Sequence, residues 1–216
     1  LAAVFALVLK RRSGQDDVVF GTDAAGRRHE AAEALIGFFI NQLVLRFDLA
    51  GLATFRDVLK SVQPRVLDAL AHQDVPFDAL VQHINPTRQP GKMPLFQVKL
   101  VLQNGPFTSL SSRYVRFEPI VIDTKTAKYD LLLTFSGDDI LTGALEFSSD
   151  LFNKTTAEAI VGELKLVLET VAMNPDISCE SLAQLVTVDR QTQTSLTQAE
   201  IRRAGLAKLK AMRSSN

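Results

Sequence analysis

His72 is the first residue of this sequence to consider for chemistry, because the pKa of an imidazole suits proton transfer near neutral pH. It opens the run His72-Gln73-Asp74-Val75-Pro76-Phe77, which lies between two helical patterns. Asp and then Pro at such a junction are typical of a helix start, with Asp74 as the N-cap and Pro76 in the first turn. We predict that Phe77 anchors this second helix. The capping pattern therefore favours a structural role for His72 over a catalytic one.

An amide and a nearby cation are the second pair of polar candidates. Asn41 shares a predicted strand face with Leu43 and Leu45, and a buried amide left without hydrogen bonds costs about 1–3 kcal/mol. We expect its side chain to bond nearby backbone, as most buried polar side chains do; lining a substrate channel is the alternative. Arg46 falls on the opposite face. It either pairs with a carboxylate across the sheet, which is the more common outcome, or binds a phosphate.

The cations Arg88, Lys92 and Lys99 are the third set of candidates. They form either a basic patch for an acidic partner protein or an ordinary solvated surface, and the sequence leaves both readings open. The single cysteine, Cys179, has no second cysteine for a disulfide or a metal site. We therefore predict no metal site.

Composition limits the classes of function. The 24 Lys and Arg residues balance the 24 Asp and Glu residues, so no net field draws the whole chain to nucleic acid or to an anionic membrane. The longest apolar run, Leu1–Leu9, is about half of what a membrane-spanning helix needs. A single cysteine favours a reducing, cytoplasmic setting.

Hydrophobic periodicity predicts the elements that carry these residues. An apolar helical stripe runs from Leu1 and ends near Gly14; because it begins at the first residue, we interpret the chain as a fragment that starts inside an element. Both faces of Phe38–Phe47 are mostly apolar, which is typical of a central strand covered on two sides. A long helix begins at Thr54, and we expect a kink or a break just before Pro64, which removes one hydrogen bond.

Strands and one-sided helices alternate along the rest of the chain. The predicted elements are a strand at Val18–Phe20, a short helix near Ala31, a helix at Pro76–Ile84, a half-exposed strand at Leu95–Leu102, a weaker strand at Val115–Phe117, a hairpin of Leu131–Phe135 and Ile140–Phe147, and a long helix capped by Asn153 and ended by Asn174-Pro175. Thr187–Thr194 is polar and indicates a linker, and Thr197 begins a capping-box pattern for a terminal helix toward Met212. The mixture predicts an α/β fold, a two-layer sandwich whose helices cover one face of a mixed sheet.

Three stretches together resemble the condensation domains of nonribosomal peptide synthetases. The run Ile36-Gly37-Phe38-Phe39-Ile40-Asn41-Gln42, followed by Arg46, is similar to the family motif IGxFVNT with its later Arg. The run His72–Asp78 closely matches HQDxPFE. Residues 88–95 match a third motif, RDxSRNPL, only at Arg88, Pro94 and Leu95. This sequence departs from the family at Gln42, where Thr is usual, and at Lys92, which replaces an arginine.

The resemblance covers residues 1–186 and implies the C-terminal lobe of such a domain, with a chloramphenicol-acetyltransferase-like fold. The family's catalytic signature, HHxxxDG, belongs to the N-terminal lobe and does not occur here, so we predict no catalytic residue in this chain. The lobe would instead wall the tunnels through which the phosphopantetheine arms of donor and acceptor peptidyl carrier domains bring thioester and amine together. The candidate tunnel-wall residues are Gly37, Asn41, Arg46, His72, Gln73, Asp74, Pro76, Phe77, Arg88, Pro94 and Leu95.

Several interpretations remain open within this resemblance. The first is a lobe that helps to form peptide bonds between carrier-bound thioesters, together with the N-terminal lobe and with no cofactor bound directly. The second is a non-catalytic lobe that docks carrier domains. Epimerisation and heterocyclisation relatives are further alternatives, although Asn41 and the HQDxPFE-like run favour the condensing type. Residues 187–216 form either a terminal docking helix behind a linker or a frayed linker alone.

Overall fold

The computed structural model describes residues 1–103, 114–115, 120, 125–137 and 140–192. In chain order its elements are α1 (Ala2–Ser13), β1 (Asp17–Ala24), α2 (Glu30–Glu33), β2 (Asn41–Asp48), α3 (Phe55–Ala71), α4 (Phe77–Ile84), β3 (Val98–Gln103), β4 (Leu131–Ser136), β5 (Thr142–Phe147) and α5 (Lys154–Met173). Residues 179–192 form a further helical stretch.

The five strands form one mixed sheet with the order β2-β1-β3-β4-β5. The two outer pairs, β1 with β2 and β4 with β5, are antiparallel, whereas β3 runs parallel to both β1 and β4. The carboxyl ends of β1, β3 and β4 therefore lie at the same end of the sheet as the amino ends of β2 and β5. The predicted hairpin is present as β4 and β5.

The helices α1, α3 and α5 form the second layer, on one face of the sheet. Phe5 of α1 packs edge-on against Phe20 of β1 at a centroid distance of 5.1 Å, and Phe20 meets Phe47 of β2 at 5.5 Å. All three rings are buried. The two-layer α/β sandwich with a mixed sheet that the sequence predicts is confirmed.

Helix ends follow the predicted local chemistry. Gly14 ends α1 in the left-handed conformation, with φ of 70°, and Asn153 caps α5 by accepting a hydrogen bond from the backbone N–H of Thr156 at 2.8 Å. A reciprocal capping box between Thr54 and Asp57 begins α3. These caps satisfy backbone groups that the helix itself leaves unpaired.

The predicted central strand Phe38–Phe47 is wrong in two respects. The strand begins only at Asn41 and lies at the edge of the sheet. Its outward face carries the exposed Arg46, and the preceding Phe38 is 92% exposed. Apolar residues on both faces therefore reflect an exposed apolar segment before the strand, and not a strand covered on two sides.

The structure differs from two further predictions about the helices. Pro64 does not break α3, which runs from Phe55 to Ala71, because a proline removes one hydrogen bond while the bonds on either side hold the helix. The predicted linker from Thr187 is wrong over residues 187–192, which are helical and continue a stretch whose Leu182 and Val186 are buried.

Other predictions fall on residues outside this description. The predicted weak strand at Val115–Phe117 falls mostly there, and so does the predicted terminal helix from Thr197. Among the described residues, no helix is both long enough and apolar enough to cross a membrane.

Candidate functional site

The side chain of Asn41 connects the first two motif stretches. Its Nδ2 donates to the carbonyl oxygens of Gln73 at 2.8 Å and Val75 at 2.7 Å. Its Oδ1 accepts from the backbone N–H of Phe77 at 3.1 Å, at the first residue of α4. Both N–H groups of the Asn41 amide donate a hydrogen bond. The backbone N–H of Phe77, which has no acceptor within α4, is bonded by a side chain from β2. The expectation that Asn41 bonds to backbone is confirmed, and we call these three bonds the Asn41 strap.

The segment between β1 and β2 sets the position of Asn41. Gly26 has φ of 67°, and a Cβ there would lie 2.0 Å from the carbonyl oxygen of Phe39, so this turn requires glycine. The guanidinium of Arg27 lies 4.3 Å from the Phe39 ring centroid and donates to the carbonyl of Leu35 at 2.9 Å. Gly37 is exposed, and a Cβ there would come within 2.9 Å of the same ring. These contacts around Phe39 hold the backbone that leads to Asn41, the first residue of β2.

His72 and Gln73 end α3. The Nδ1 atom of His72 lies 2.8 Å from the carbonyl oxygen of Asp68, and Gln73 donates through Nε2 to the carbonyl of Leu70 at 2.8 Å. Both side chains thus satisfy carbonyl groups near the last turn of the helix. This geometry agrees with the predicted structural position of His72 at a helix boundary.

Asp74 does not cap α4, and this prediction is wrong. The helix begins at Phe77 with Pro76 as its N-cap residue, so Asp74 lies too early in the chain for a cap position. Its carboxylate instead forms an ion pair with Arg28 at 2.7 Å. The Asn41 strap supplies the contact that the sequence assigned to Asp74.

Three aromatic rings pack on the sheet face opposite the helix layer. Phe77 meets Phe96 edge-on at 5.7 Å, and Phe96 stacks on Tyr129 at 5.9 Å. Phe96 is 1% exposed, and a Cβ on Gly21 of β1 would lie 2.3 Å from its ring. The missing side chain of Gly21 therefore lets this ring pack directly against the backbone of β1.

Lys99 lies beneath these rings, and its predicted place in an exposed basic patch is wrong. Its side chain is 7% exposed, and its Nζ lies 2.7 Å from Asp23 Oδ1 and 3.2 Å from the hydroxyl of Tyr129. Gln42 donates to the same hydroxyl at 2.8 Å. Asp23 Oδ1 has no hydrogen bond among the described residues, so its contact with Lys99 is an ion pair by distance without hydrogen-bond geometry.

Asp23 and Tyr129 were not identified from the sequence. The available signal was Lys99 itself, a single charge within the apolar run of β3. A cation in such a run requires a partner if it is buried. The sequence does not say which acid or hydroxyl that partner is.

Arg46 lies away from this cluster. It forms a bidentate ion pair with Asp17 of β1. Its Nε donates to Oδ1 at 2.9 Å and its Nη2 donates to Oδ2 at 2.7 Å. The hydrogen bond from Arg46 is the largest cause of the lowered pKa of Asp17. The prediction that Arg46 pairs with a carboxylate across the sheet is confirmed.

Arg88, Pro94 and Leu95 line a cavity of about 460 Å³, together with Asp78 of α4. Asn41 therefore bonds the stretch from Gln73 to Phe77 directly, whereas no hydrogen bond among the described residues joins it to the third motif. Among the described residues, no group of three or more His, Cys, Asp or Glu side chains forms a potential metal site.

Known proteins resemble this chain in sequence. The family model described as "Condensation domain" matches residues 1–196. Malpinin synthetase from Mortierella alpina is 39% identical over 188 residues, which cover 85% of this chain and 2% of that protein. Isonitrile lipopeptide synthase from Mycobacterium tuberculosis is 36% identical over 197 residues, which cover 88% of this chain and 8% of that protein. The chain thus spans only a small part of the length of these relatives.

Solved structures share the fold. The X-domain from teicoplanin biosynthesis aligns with a TM-score of 0.72 and 27% identity, over 83% of this chain and 42% of that chain. A four-domain nonribosomal peptide synthetase bound to AMP and glycine aligns with a TM-score of 0.74 over 82% of this chain and 15% of that chain. Its identity of 22% supports a shared fold alone.

Proposed function

This chain belongs to the condensation domain family, and from that premise we propose that it is the C-terminal lobe of a nonribosomal peptide synthetase condensation domain. In this role it helps to form amide bonds between aminoacyl or peptidyl thioesters held on donor and acceptor carrier domains. The observation that carries the proposal is the Asn41 strap, which joins two family motifs into one fixed wall. A fixed wall is what a tunnel for two reactants requires.

The reaction divides between two lobes in this proposal. The acceptor amine attacks the thioester carbonyl of the donor, so that a C–N bond forms, the C–S bond breaks and the donor thiol leaves. The motif HHxxxDG is absent from this sequence, so the N-terminal lobe supplies those residues. This chain contributes orientation, and holding both reactants in place accounts for a large share of such catalysis.

Exposed apolar side chains support the N-terminal lobe as a partner. Ile36 and Phe38 are 104% and 92% exposed in the segment that leads to Asn41, and Leu67 of α3 is 58% exposed. Apolar surface of this kind commonly marks a protein interface. We infer that the N-terminal lobe covers it.

The remaining partners follow from the same role. Phosphopantetheine arms enter as part of the carrier domains, and no cofactor is bound directly. We propose a cytoplasmic setting, with no nucleic-acid or membrane partner, because the charges balance and the single cysteine forms no internal disulfide.

A non-catalytic docking lobe is the second candidate. The observation in its favour is the likeness to the X-domain, which was solved in a complex with OxyB from teicoplanin biosynthesis. In that role, this chain binds other proteins of the assembly and no amide bond forms. Epimerising and heterocyclising relatives are less well supported, because the residues of the Asn41 strap resemble the condensing type.

Reconstitution separates these candidates. The chain is mixed with the N-terminal lobe of the parent synthetase, and amide formation between carrier-bound substrates is followed by mass spectrometry. We expect product only when both lobes are present, a lower rate for Asn41→Ala, and an unchanged rate for Lys154→Ala on the exposed start of α5. Product from this chain alone contradicts the proposal. Carrier binding without product from the two lobes supports the docking lobe instead.

A further inference from the structure

A second cavity lies in the helix layer, and residues other than those of the Asn41 strap line it. Its volume is about 240 Å³, and it lies between α1, α5 and the helical stretch of residues 179–192. Its walls are largely apolar and are formed by Leu7, Val8, Val167, Leu182, Ala183 and Val186. Its charged lining residues are Lys10, Arg11, Asp16 and Glu163. We call it the helix-layer cavity.

A buried carboxylate shared by two arginines lies at the charged side of this cavity. The side chain of Glu163 is only 2% exposed. Its Oε1 accepts a hydrogen bond from Nε of Arg11, and its Oε2 accepts one from Nε of Arg12 at 2.8 Å. A carboxylate this deeply buried requires such partners, because an unpaired buried charge is costly. One negative charge, however, faces two positive charges.

Both arginines use only their Nε atoms for this contact. Among the described residues, the Nη groups of Arg11 and Arg12 form no hydrogen bond, although the two side chains are only 26% and 21% exposed. A guanidinium has five N–H donors in a fixed planar arrangement. Most donors of these two groups therefore remain available for an acceptor that enters from the cavity.

The charges around the helix-layer cavity do not cancel. Lys10 pairs with Asp16 at 2.6 Å, so these two residues are neutral together. Arg11, Arg12 and Glu163 together carry a net charge of +1. The carbonyl end of α1 lies beside them and offsets only about half a unit charge. A positive excess next to apolar walls fits a ligand with one negative charge and a hydrocarbon part.

We propose that the helix-layer cavity binds a small aliphatic carboxylic acid, with the carboxylate at the guanidinium of Arg11 and the hydrocarbon chain between Val8, Val167 and Val186. A guanidinium matches the two oxygens of a carboxylate in a planar, bidentate geometry. An apolar cavity of about 150 Å³ is large enough for benzene. The helix-layer cavity, at about 240 Å³, therefore has room for a chain of about six carbons.

Alkylation of Cys179 in the full 216-residue chain tests this site. Cys179 lines the cavity and is the only cysteine of the chain, so its rate of reaction with iodoacetamide at constant pH and ionic strength reports occupancy. Hexanoate should slow the reaction saturably, by about tenfold at ten times its Kd. Butanoate should bind about tenfold more weakly, because each CH₂ group in an apolar cavity tightens binding about threefold. 1-Hexanol, which lacks the charge, should also bind about tenfold more weakly.

Matched variants locate the two parts of the ligand. Arg11→Gln should weaken hexanoate to the level of 1-hexanol and leave the affinity for 1-hexanol unchanged. Lys154→Gln, which removes an exposed cation elsewhere, should change neither affinity. Ala183→Leu places a larger side chain in the apolar part of the cavity and should abolish protection by both ligands, and thermal unfolding checks that each variant is folded.

The comparison of ligands on the unmodified chain decides the charge requirement even if a variant fails to fold. Equal affinity for hexanoate and 1-hexanol, an alkylation rate that hexanoate leaves unchanged, or protection that does not saturate overturns the proposal. Full protection by hexanoate in a folded Ala183→Leu variant also overturns it. Amide formation does not enter this measurement, so the result is independent of the proposed function.

Discussion

Two connections flank α4, and they treat their polar groups in opposite ways. Before the helix, in residues 72–76, the carbonyl groups of Gln73 and Val75 accept hydrogen bonds from the neutral amide of Asn41. Residues 86–97, after the helix, are fixed through the buried ring of Phe96, while Arg88 and Lys92 have no partner among the described residues. The strong HQDxPFE-like match thus coincides with contacts inside the fold, whereas the weak third motif contains two cations that have no partner among the described residues.

The most severe test of this comparison replaces a buried cation and an exposed one. Lys99→Met leaves Asp23 and the Tyr129 hydroxyl without their cation. The free energy of unfolding should fall by about 2–3 kcal/mol, which is less than for a fully buried ion pair because Asp23 is partly exposed. Lys92→Met in the connection after α4 should leave the free energy of unfolding nearly unchanged. Urea denaturation measures both.

The double variant Lys99→Met with Asp23→Asn provides the control for that pair. It should recover part of the lost stability, since no uncompensated charge remains. Equal losses for the variants at Lys99 and Lys92 would remove the distinction between the two regions.

The next largest effect concerns the packing of Phe96 against Gly21. Gly21→Ala places a methyl group 2.3 Å from the buried Phe96 ring, and overpacking of this kind should cost about 2 kcal/mol, or several degrees in Tm. Gly162→Ala in α5 meets no atom within 4 Å and should stabilise the helix by about 1 kcal/mol. Opposite signs in thermal unfolding are the expected result, and a neutral Gly21→Ala would show that the ring is free to move.

Sequence patterns identified elements whose signal is local. Gly14 and Asn153 mark helix ends through their own backbone chemistry, and alternation correctly separated Lys99 from Leu100 on β3. The patterns did not reveal that the face of β3 that carries Lys99 is covered, because the rings that cover it come from distant positions, including Tyr129. Burial of a polar residue depends on such long-range packing, so the basic-patch interpretation failed at Lys99.

The candidate site was partly predictable for the same reason. Asn41 was recognised as an amide in need of partners, but not the backbone that it bonds, since Phe77 lies 36 residues away in sequence. Asp74 had the right residue type for a cap and the wrong position once the helix began at Phe77. The positive φ of Leu95, 69°, gave no signal, because nothing in a Pro-Leu-Phe sequence demands it.

A third prediction concerns the Asn41 strap itself. Asn41→Ala removes three hydrogen bonds and should lower the free energy of unfolding by about 1–2 kcal/mol, or a few degrees in Tm. Asn41→Asp should be at least as harmful, because its carboxylate would face two carbonyl oxygens. If Asn41→Ala leaves Tm unchanged but lowers the rate of amide formation in the proposed two-lobe assembly, the amide acts on the substrate path and not as a structural strap.

The smallest expected effect is a difference in pH dependence between the surface ion pair of Arg46 and Asp17 and the neutral Asn41 strap. Hydrogen bonds from Arg46 hold the pKa of Asp17 below its ordinary value. A carboxyl group whose pKa is lower in the folded state stabilises the fold above the unfolded pKa of about 3.9 and loses that contribution as the pH falls through the folded value. Arg46→Gln should therefore lower Tm slightly at pH 7, and this difference should shrink below about pH 4. The Asn41→Ala difference should stay constant over the same range, because neither the amide nor its backbone partners titrate. Thermal unfolding of both variants from neutral to acidic pH tests this, and a strap effect that fades in acid would mean that Asn41 acts through a titrating neighbour.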